Sequence, residues 1–141
     1  MTAFVLVHGA YHGGWCWRDV AARLTAQGHR VFTPTLTGLG ERAHLATPQT
    51  DLQTHIQDVV AVFDCEDIDG AVLVGHSYGG MVIGGVADCR RERIRALVFV
   101  DAVIPEDGKS VIDFQTPERA AALLAAAEDN DGWRMPAIPA A

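Results

Sequence analysis

The chain has 141 residues, 49% of them hydrophobic, and a formal net charge of −7. This length and composition predict a single globular domain with its own core rather than a disordered chain. The acidic balance argues against nucleic acid or an anionic membrane as a partner, so we expect a small-molecule partner.

The cysteines and the apolar runs indicate the compartment. The chain contains three scattered cysteines, Cys16, Cys65 and Cys89, an odd number that suits a reducing environment better than a disulfide framework. No basic region precedes the first apolar residues, and no apolar run approaches the roughly 18 residues of a membrane helix. We therefore expect a cytoplasmic protein without a signal peptide or a membrane span.

The first predicted strand covers residues 3–7, a short apolar run that is typical of a strand buried on both faces of a parallel sheet. A glycine-rich turn follows over residues 8–14. Helical spacing then predicts a helix that ends near Gly28. Its apolar face consists of Trp17, Val20, Ala21 and Leu24. A second strand is predicted over residues 30–33, where Pro34 closes it.

Residues 35–44 show no periodicity and are predicted to form a loop. After this loop, Thr50 and Gln53 have the spacing of a capping box and predict the start of a helix. The apolar face of that amphipathic helix consists of Leu52, Ile56, Val59, Val60 and Phe63. His55 is interpreted as a surface residue because it lies off this face.

Two further strands are predicted, over residues 71–74 and 96–101, with a helix between them over about 78–89 that has a solvated end at 90–93. Because strands alternate with helices, the sequence predicts an α/β fold with a parallel sheet, right-handed crossovers and helices on both faces.

The pattern changes after Pro105. Thr116 and Pro117 have the chemistry of a helix start and predict an alanine-rich helix that runs to about Glu128. A turn is predicted at 129–132, and residues 133–141 show neither a strand nor a helix pattern.

The pentapeptide Gly75-His76-Ser77-Tyr78-Gly79 fits the G-x-S-x-G nucleophile elbow. A serine raised above a sheet needs a strained turn, and glycine two residues before and after it avoids a clash in so tight a turn. The helix that follows directs its free N–H groups toward the serine, where negative charge would develop in an acyl transfer. The apolar run before the motif and the small-residue helix after it favour the elbow over a chance Gly-Ser-Gly loop.

Two stretches, residues 4–17 (Phe-Val-Leu-Val-His-Gly-Ala-Tyr-His-Gly-Gly-Trp-Cys-Trp) and residues 75–81 (Gly-His-Ser-Tyr-Gly-Gly-Met), resemble the α/β-hydrolase superfamily. Within it, the chain is similar to the branch of plant salicylate-type methylesterases, hydroxynitrile lyases and their bacterial relatives. The similarity covers residues 3 to about 110. It implies an α/β-hydrolase core over residues 1–105, with the strand order second–first–third–fourth and incomplete at its C-terminal side. It also implies the start of a cap or lid region over residues 106–141.

The resemblance also implies roles for single residues. Ser77 would be the nucleophile, and the backbone N–H groups of Ala10 and Tyr78 would be the oxyanion donors. The family's catalytic acid and histidine would both lie beyond residue 141. The loop at 35–44 and the segment after Pro105 would border the pocket. No cofactor is implied.

Four other side chains are weaker candidates. Asp101 ends the fourth strand, where some hydrolases of this superfamily place their acid, but a cap for residues 103–107 is the favoured interpretation. His12 and His44 are candidates for the pocket rim and are equally compatible with solvated positions. His76 is expected to point away from the serine hydroxyl. No histidine or cysteine pair has the spacing of metal ligands, so no metal site is predicted.

Alternative functions come from three classes. Gly9 and Gly13 faintly resemble a dinucleotide-binding turn, but Trp15 occupies the region of its third glycine and no acidic residue ends the second strand. A non-catalytic module that binds a small apolar ligand remains open; it would lack a histidine that reaches Ser77. The branch's lyases resemble this chain but carry a hydroxyl side chain in place of Gly9 and an acidic residue in place of His76, which favours an esterase over cyanohydrin cleavage.

The sequence therefore predicts an esterase for small hydrophobic acids in its complete form. The 141 residues alone are expected to be inactive, because no histidine follows Ser77. The fourth strand is expected to leave an unpaired apolar edge. We expect either a fragment of a longer protein or a chain completed by a partner, and a homo-oligomer stays open.

Overall fold

The computed structural model describes residues 1–136. Its regular elements alternate as the sequence predicts. The strands are β1 (Ala3–Val7), β2 (Arg30–Phe32), β3 (Ala71–His76) and β4 (Ile94–Val100), and the helices are α1 (Arg18–Ala26), α2 (Leu52–Cys65), α3 (Gly79–Arg90) and α4 (Pro117–Glu128). Most predicted bounds agree within two residues, but β3 continues to His76 because the strand runs directly into the elbow.

The four strands form one parallel sheet in the order β2-β1-β3-β4, which confirms the predicted order. The chain moves from β1 to β2 in one direction and from β2 through β3 to β4 in the other. With right-handed crossovers, this reversal places α1 on one face and α2 and α3 on the opposite face. The carboxyl ends of β1 and β3 are neighbours at the point of reversal, where ligands bind in open α/β sheets.

The core lies between the sheet and the two helices α2 and α3, which cover one of its faces. Val5, Leu73, Phe63 and Ile83 are completely buried there. The apolar stripe predicted for α2 is thus confirmed. By contrast, no residue of α1 is completely buried: Ala21 and Leu24 of its predicted apolar face are half-buried and Val20 is 43% exposed, so this face is only partly covered in the described part of the chain.

The start of α2 differs from the prediction. Asp51, not Thr50, is the N-cap, and its carboxylate accepts a hydrogen bond from the Thr54 N–H at 2.9 Å. Thr54 closes a capping box through its hydroxyl, while Gln53 takes no part in it. The predicted pair was therefore wrong by one residue, because aspartate accepts this bond at least as well as threonine.

Two segments predicted to be irregular contain short 3-10 helices, Gly40–Leu45 and Arg91–Arg93. The predicted solvated end of α3 is also partly paired. Arg90 binds the Asp64 carboxylate with its Nε at 3.0 Å and its Nη2 at 2.6 Å from the two oxygens.

β4 lies at the edge of the four-stranded sheet, as predicted. Leu97, Val98 and Val100 are 37%, 40% and 41% exposed, which is unusual for the apolar residues of a parallel strand. The edge is therefore apolar as well as unpaired within residues 1–136.

The chain divides into two compact units, Met1–Ile104 and a second that begins at Pro105. In the second unit, the Thr116 hydroxyl accepts from the Arg119 N–H and Pro117 occupies the first turn of α4, which confirms the predicted helix start. Its assignment to a cap stays a prediction, and part of the predicted irregular tail, residues 137–141, lies outside the described residues. No helix within residues 1–136 has the length and apolar character needed to cross a bilayer.

Candidate active site

Ser77 occupies the turn between β3 and α3 in a left-handed backbone conformation, with φ of 52°. A residue with a Cβ adopts this conformation only at an energetic cost. A Cβ at Gly75 would lie 2.6 Å from the Gly79 carbonyl oxygen, so the chain passes too closely there for any side chain. The predicted strand–elbow–helix arrangement is therefore the one that forms.

Two hydrogen bonds to the Ser77 carbonyl oxygen stabilise the turn. That oxygen accepts hydrogen bonds from the Gly80 N–H at 3.0 Å and from the Val103 N–H at 3.1 Å. The segment that follows β4 thus contributes directly to the conformation of the elbow.

Two backbone N–H groups near Ser77 are without an acceptor. Within residues 1–136, neither the Ala10 nor the Tyr78 N–H donates a hydrogen bond to another protein atom. Ala10 lies in the turn after β1, and Tyr78 is the N-cap of α3. Unpaired donors at a helix start are the ordinary stabilisers of an anionic oxygen.

His8 links β1 to the loop after β2. Its ring is completely buried; its Nδ1–H donates to the Gly9 carbonyl at 2.7 Å and its Nε2 accepts from the Leu36 N–H at 3.0 Å. Burial lowers the pKa of His8 most strongly, and the nearby His12 and His55 act in the same direction. With both nitrogens engaged, the neutral ring shapes the loop.

The interpretation of His55 as a surface residue was wrong. His55 is 7% exposed, with its Nδ1 2.7 Å from the Tyr78 hydroxyl and its Nε2 2.8 Å from the Thr37 carbonyl. It lies three residues after Leu52 and four before Val59, so helical spacing places it on the buried stripe. That spacing was the available signal, and the polar character of histidine hid it.

The loop after β2 is held by several polar contacts. The Asp58 carboxylate accepts from the Thr37 N–H at 2.6 Å and from the Thr37 hydroxyl at 2.8 Å. Arg42 donates to the Thr35 carbonyl at 2.8 Å, and the Thr35 hydroxyl donates to Glu41 at 2.6 Å. The predicted loop is therefore held in place by these hydrogen bonds, and no local pattern in the sequence indicates the partners.

The other predicted histidines lie in different surroundings. His12 is half-buried, and its Nδ1–H donates to the Ala10 carbonyl at 2.9 Å. Its ring lies 6.0 Å from that of His76, measured between centroids, and His76 also meets Trp17 edge to face. His44 is exposed. Within residues 1–136, no histidine nitrogen is hydrogen-bonded to the Ser77 hydroxyl.

Asp101 follows β4 and is exposed, with a left-handed φ of 43°. Residues 103–107 form no helix, and the Asp101 carboxylate accepts no hydrogen bond from the described residues. The favoured interpretation as a cap was thus wrong. Asp101 instead ends the strand whose next residues fasten the elbow.

Within residues 1–136, no group of three His, Cys, Asp or Glu side chains is arranged to bind a metal ion. An open groove between β2 and α2, lined by Val31, Pro34 and Val62 among others, contains none of the candidate residues. The site that the geometry supports therefore consists of Ser77 and the two free N–H groups.

Similarity to known proteins covers nearly the whole of this chain. Residues 4–141 match the model of the alpha/beta hydrolase family. The carbendazim hydrolyzing esterase of Nocardioides sp. (strain SG-4G) is 51% identical over an alignment of 148 residues. The alignment covers 99% of this chain and 61% of the esterase. Methylesterase 7 of Arabidopsis thaliana is 35% identical, over 73% of this chain and 40% of that protein.

Among solved structures, an extracellular alpha/beta-hydrolase from a Paenibacillus species superimposes with a TM-score of 0.85 at 32% identity. The match covers 96% of this chain and 56% of that hydrolase, which is described as sharing structural and functional homology with tobacco salicylic acid binding protein 2. The chain spans between 40% and 61% of the length of the two curated relatives.

Proposed function

Because the chain belongs to the alpha/beta hydrolase family, we propose that it forms the nucleophile-bearing part of a carboxylesterase for esters of small hydrophobic acids. The observation that carries this proposal is the left-handed Ser77 between β3 and α3, together with two N–H groups that have no acceptor in residues 1–136. One belongs to Tyr78, the next residue, and the other to Ala10, which follows Gly9, where a Cβ would lie 2.9 Å from the Ser77 Cβ. The relatives named as an esterase and a methylesterase support an ester as the substrate.

In the proposed reaction, the Ser77 oxygen attacks the acyl carbon and gives its proton to a histidine. The N–H groups of Ala10 and Tyr78 donate to the oxyanion of the tetrahedral intermediate. When that intermediate collapses, the bond to the alcohol breaks and the histidine returns the proton to the leaving oxygen. Water then hydrolyses the acyl-Ser77 ester by the same steps. The complete enzyme is this chain together with the segment that supplies the histidine and its acid.

The proposal is tested by Ser77→Ala in the complete enzyme. We expect the burst of acylation with p-nitrophenyl esters to disappear while binding of the ester is retained, because the reacting oxygen is lost and the pocket is not. The only other serine of the chain, Ser110, is exposed and provides the matched control Ser110→Ala. Undiminished ester turnover in Ser77→Ala would remove Ser77 from the mechanism.

Cyanohydrin cleavage is the second candidate. A Cβ at Gly9 would lie 2.9 Å from the Ser77 Cβ and 3.1 Å from the His76 Nδ1. A hydroxyl side chain at this position would therefore require neighbouring atoms to shift, which supports the esterase. Aryl acetates assayed beside mandelonitrile decide between the two, and faster release of cyanide than of the acid would favour the lyase.

A cytoplasmic location is part of the proposal and is supported by the three cysteines, which are all free and exposed. Exposed thiols are typical of a reducing compartment. Fractionation of the source cells with a thiol-reactive label tests this location, and recovery of the protein outside the cytoplasm would contradict it.

A further inference from the structure

A buried histidine connects α2 with the residue that follows Ser77. The His55 ring contacts the Tyr78 hydroxyl at 2.7 Å through Nδ1 and the Thr37 carbonyl at 2.8 Å through Nε2. The rings of His55 and Tyr78 also meet nearly edge to face, with centroids 5.6 Å apart and an interplanar angle of 80°. The side chain of Tyr78 is thus held by both a polar and an aromatic contact.

The partners of His55 determine which nitrogen carries the hydrogen. A carbonyl oxygen only accepts, so the hydrogen bond with Thr37 requires a hydrogen on Nε2. Nδ1 then has a free lone pair, and the Tyr78 hydroxyl donates to it. Burial is the main cause that raises the pKa of Tyr78, and the negative charges of Asp51 and Asp58 raise this pKa further. The hydroxyl therefore keeps its proton and remains a donor.

The acceptor at Thr37 is itself fixed. Asp58 binds both the N–H and the hydroxyl of Thr37, and His8 accepts from the N–H of the preceding residue, Leu36. His55 consequently bridges two ordered parts of the molecule, the loop after β2 and the elbow. A ring bound at both nitrogens in a buried position has little freedom to turn.

We infer that His55 is a positioning residue of the active site: its hydrogen bond holds the Tyr78 side chain, and through it the Tyr78 backbone N–H that would donate to the oxyanion. Only two side-chain torsions separate the Tyr78 ring from its backbone, so an anchored ring restrains the peptide to which it belongs. An oxyanion donor must lie about 2.7–3.1 Å from the developing charge, and small displacements reduce its effect. This inference rests on the proposed function of Ser77 and Tyr78.

Tyr78→Phe in the complete enzyme tests the inference, because it removes the hydroxyl and keeps the ring. We expect the acylation rate with p-nitrophenyl acetate to fall about 3- to 10-fold, roughly the effect of one neutral hydrogen bond, while KM changes little. His55→Gln should produce a similar loss, and the double variant should lose no more than the larger single loss. His29→Gln is the matched control, since His29 accepts from the Thr2 N–H near the start of β1.

Nitrogen-15 NMR of the His55 ring gives a readout that does not depend on activity. We expect a protonated Nε2 and an unprotonated Nδ1, and a shift of the Nδ1 signal in Tyr78→Phe. Protonation on Nδ1 instead, unchanged acylation in both single variants, or fully additive losses would each overturn the positioning role alone. A wild-type enzyme without an acylation burst would overturn the proposed function and this inference together.

Discussion

His8 shows how a single buried side chain can make the stability of the fold depend on pH. The ring lies at the end of β1 and is completely buried, yet it is a titratable group with hydrogen bonds at both nitrogens. Its Nε2 accepts a hydrogen bond, so a proton on that atom would break the contact with the Leu36 N–H. The folded protein therefore binds this proton less readily than the unfolded chain does.

This difference predicts a loss of stability on mild acidification. The pKa of His8 in the folded protein lies below the value of 6.5 for an unperturbed histidine, chiefly because of burial. Below about pH 6.5 the unfolded chain binds a proton that the folded chain does not, so the free energy of unfolding decreases as the pH falls from there toward the folded pKa. Chemical denaturation between pH 7.5 and 5.5 measures the slope. A His8→Gln variant should show a smaller slope, and an equal slope would contradict this account.

At the scale of elements, the start of α2 depends on a side chain that was predicted one residue too early. Asp51 accepts the bond from the Thr54 N–H, while Thr50 uses its hydroxyl to accept from the Thr47 N–H outside the helix. Both residues are suitable caps by composition, so the sequence alone left the choice to spacing. The backbone of the preceding turn decides it.

The position of the cap predicts different effects for substitutions at two neighbouring residues. Asp51→Ala should lower the thermal midpoint by a few degrees, because it leaves an N–H at the start of α2 without its acceptor. Thr50→Ala should change the midpoint less, since it removes only a contact within the turn. Differential scanning calorimetry on both variants measures the difference, and an equal or larger loss for Thr50→Ala would restore the original assignment.

The close contact between α3 and the segment after β4 predicts a loss of stability when a side chain is added there. A Cβ at Gly80 would lie 2.0 Å from the Val103 carbonyl oxygen, so Gly80→Ala must move backbone and should cost about 1–3 kcal/mol of unfolding free energy. In the same helix, a Cβ at Gly85 would first meet side-chain atoms of Ile56 rather than main-chain atoms, and a side chain shifts more readily than the main chain. Gly85→Ala is thus the matched control. Urea denaturation that ranks Gly85→Ala as the more damaging variant would contradict the described contact.

Regular patterns made much of the fold predictable. The parallel sheet follows from alternating apolar runs and helices, and the elbow from one pentapeptide in the right context. The strand order follows from the resemblance to the α/β hydrolases. The contacts of His55 were missed because its partners Thr37 and Tyr78 lie 18 and 23 residues away along the chain. No periodicity encodes such pairs, and the same holds for the contacts of Asp58 with the loop.

At the scale of the whole molecule, His8, His29 and His55 form their hydrogen bonds away from the Ser77 hydroxyl. His8 and His55 bind at both nitrogens, and His29 accepts from the Thr2 N–H. A general base must lie within about 2.6–3.2 Å of the oxygen that it deprotonates. The six histidines all lie in the described residues 1–136, and none of them is hydrogen-bonded to the Ser77 hydroxyl.

We therefore predict that the 141 residues alone do not turn over p-nitrophenyl esters with saturable kinetics. Adding the segment that supplies the histidine and acid should restore a burst that depends on Ser77. The assay uses the purified chain with its intact mass verified, and heat-unfolded chain as the background. Saturable turnover by a verified 141-residue monomer would contradict the prediction and would assign the base to His8, His12 or His44.

The left-handed Ser77 also has a consequence for how this position evolves. Glycine adopts a φ of 52° without strain, whereas a residue with a Cβ costs roughly 1–2 kcal/mol there. Folding alone would thus favour glycine at position 77, and the chemistry proposed for Ser77 would supply the selection that opposes it. In a lineage that no longer needs this chemistry, the serine should be among the first residues of the elbow to be replaced, and replacement by glycine should raise the free energy of unfolding.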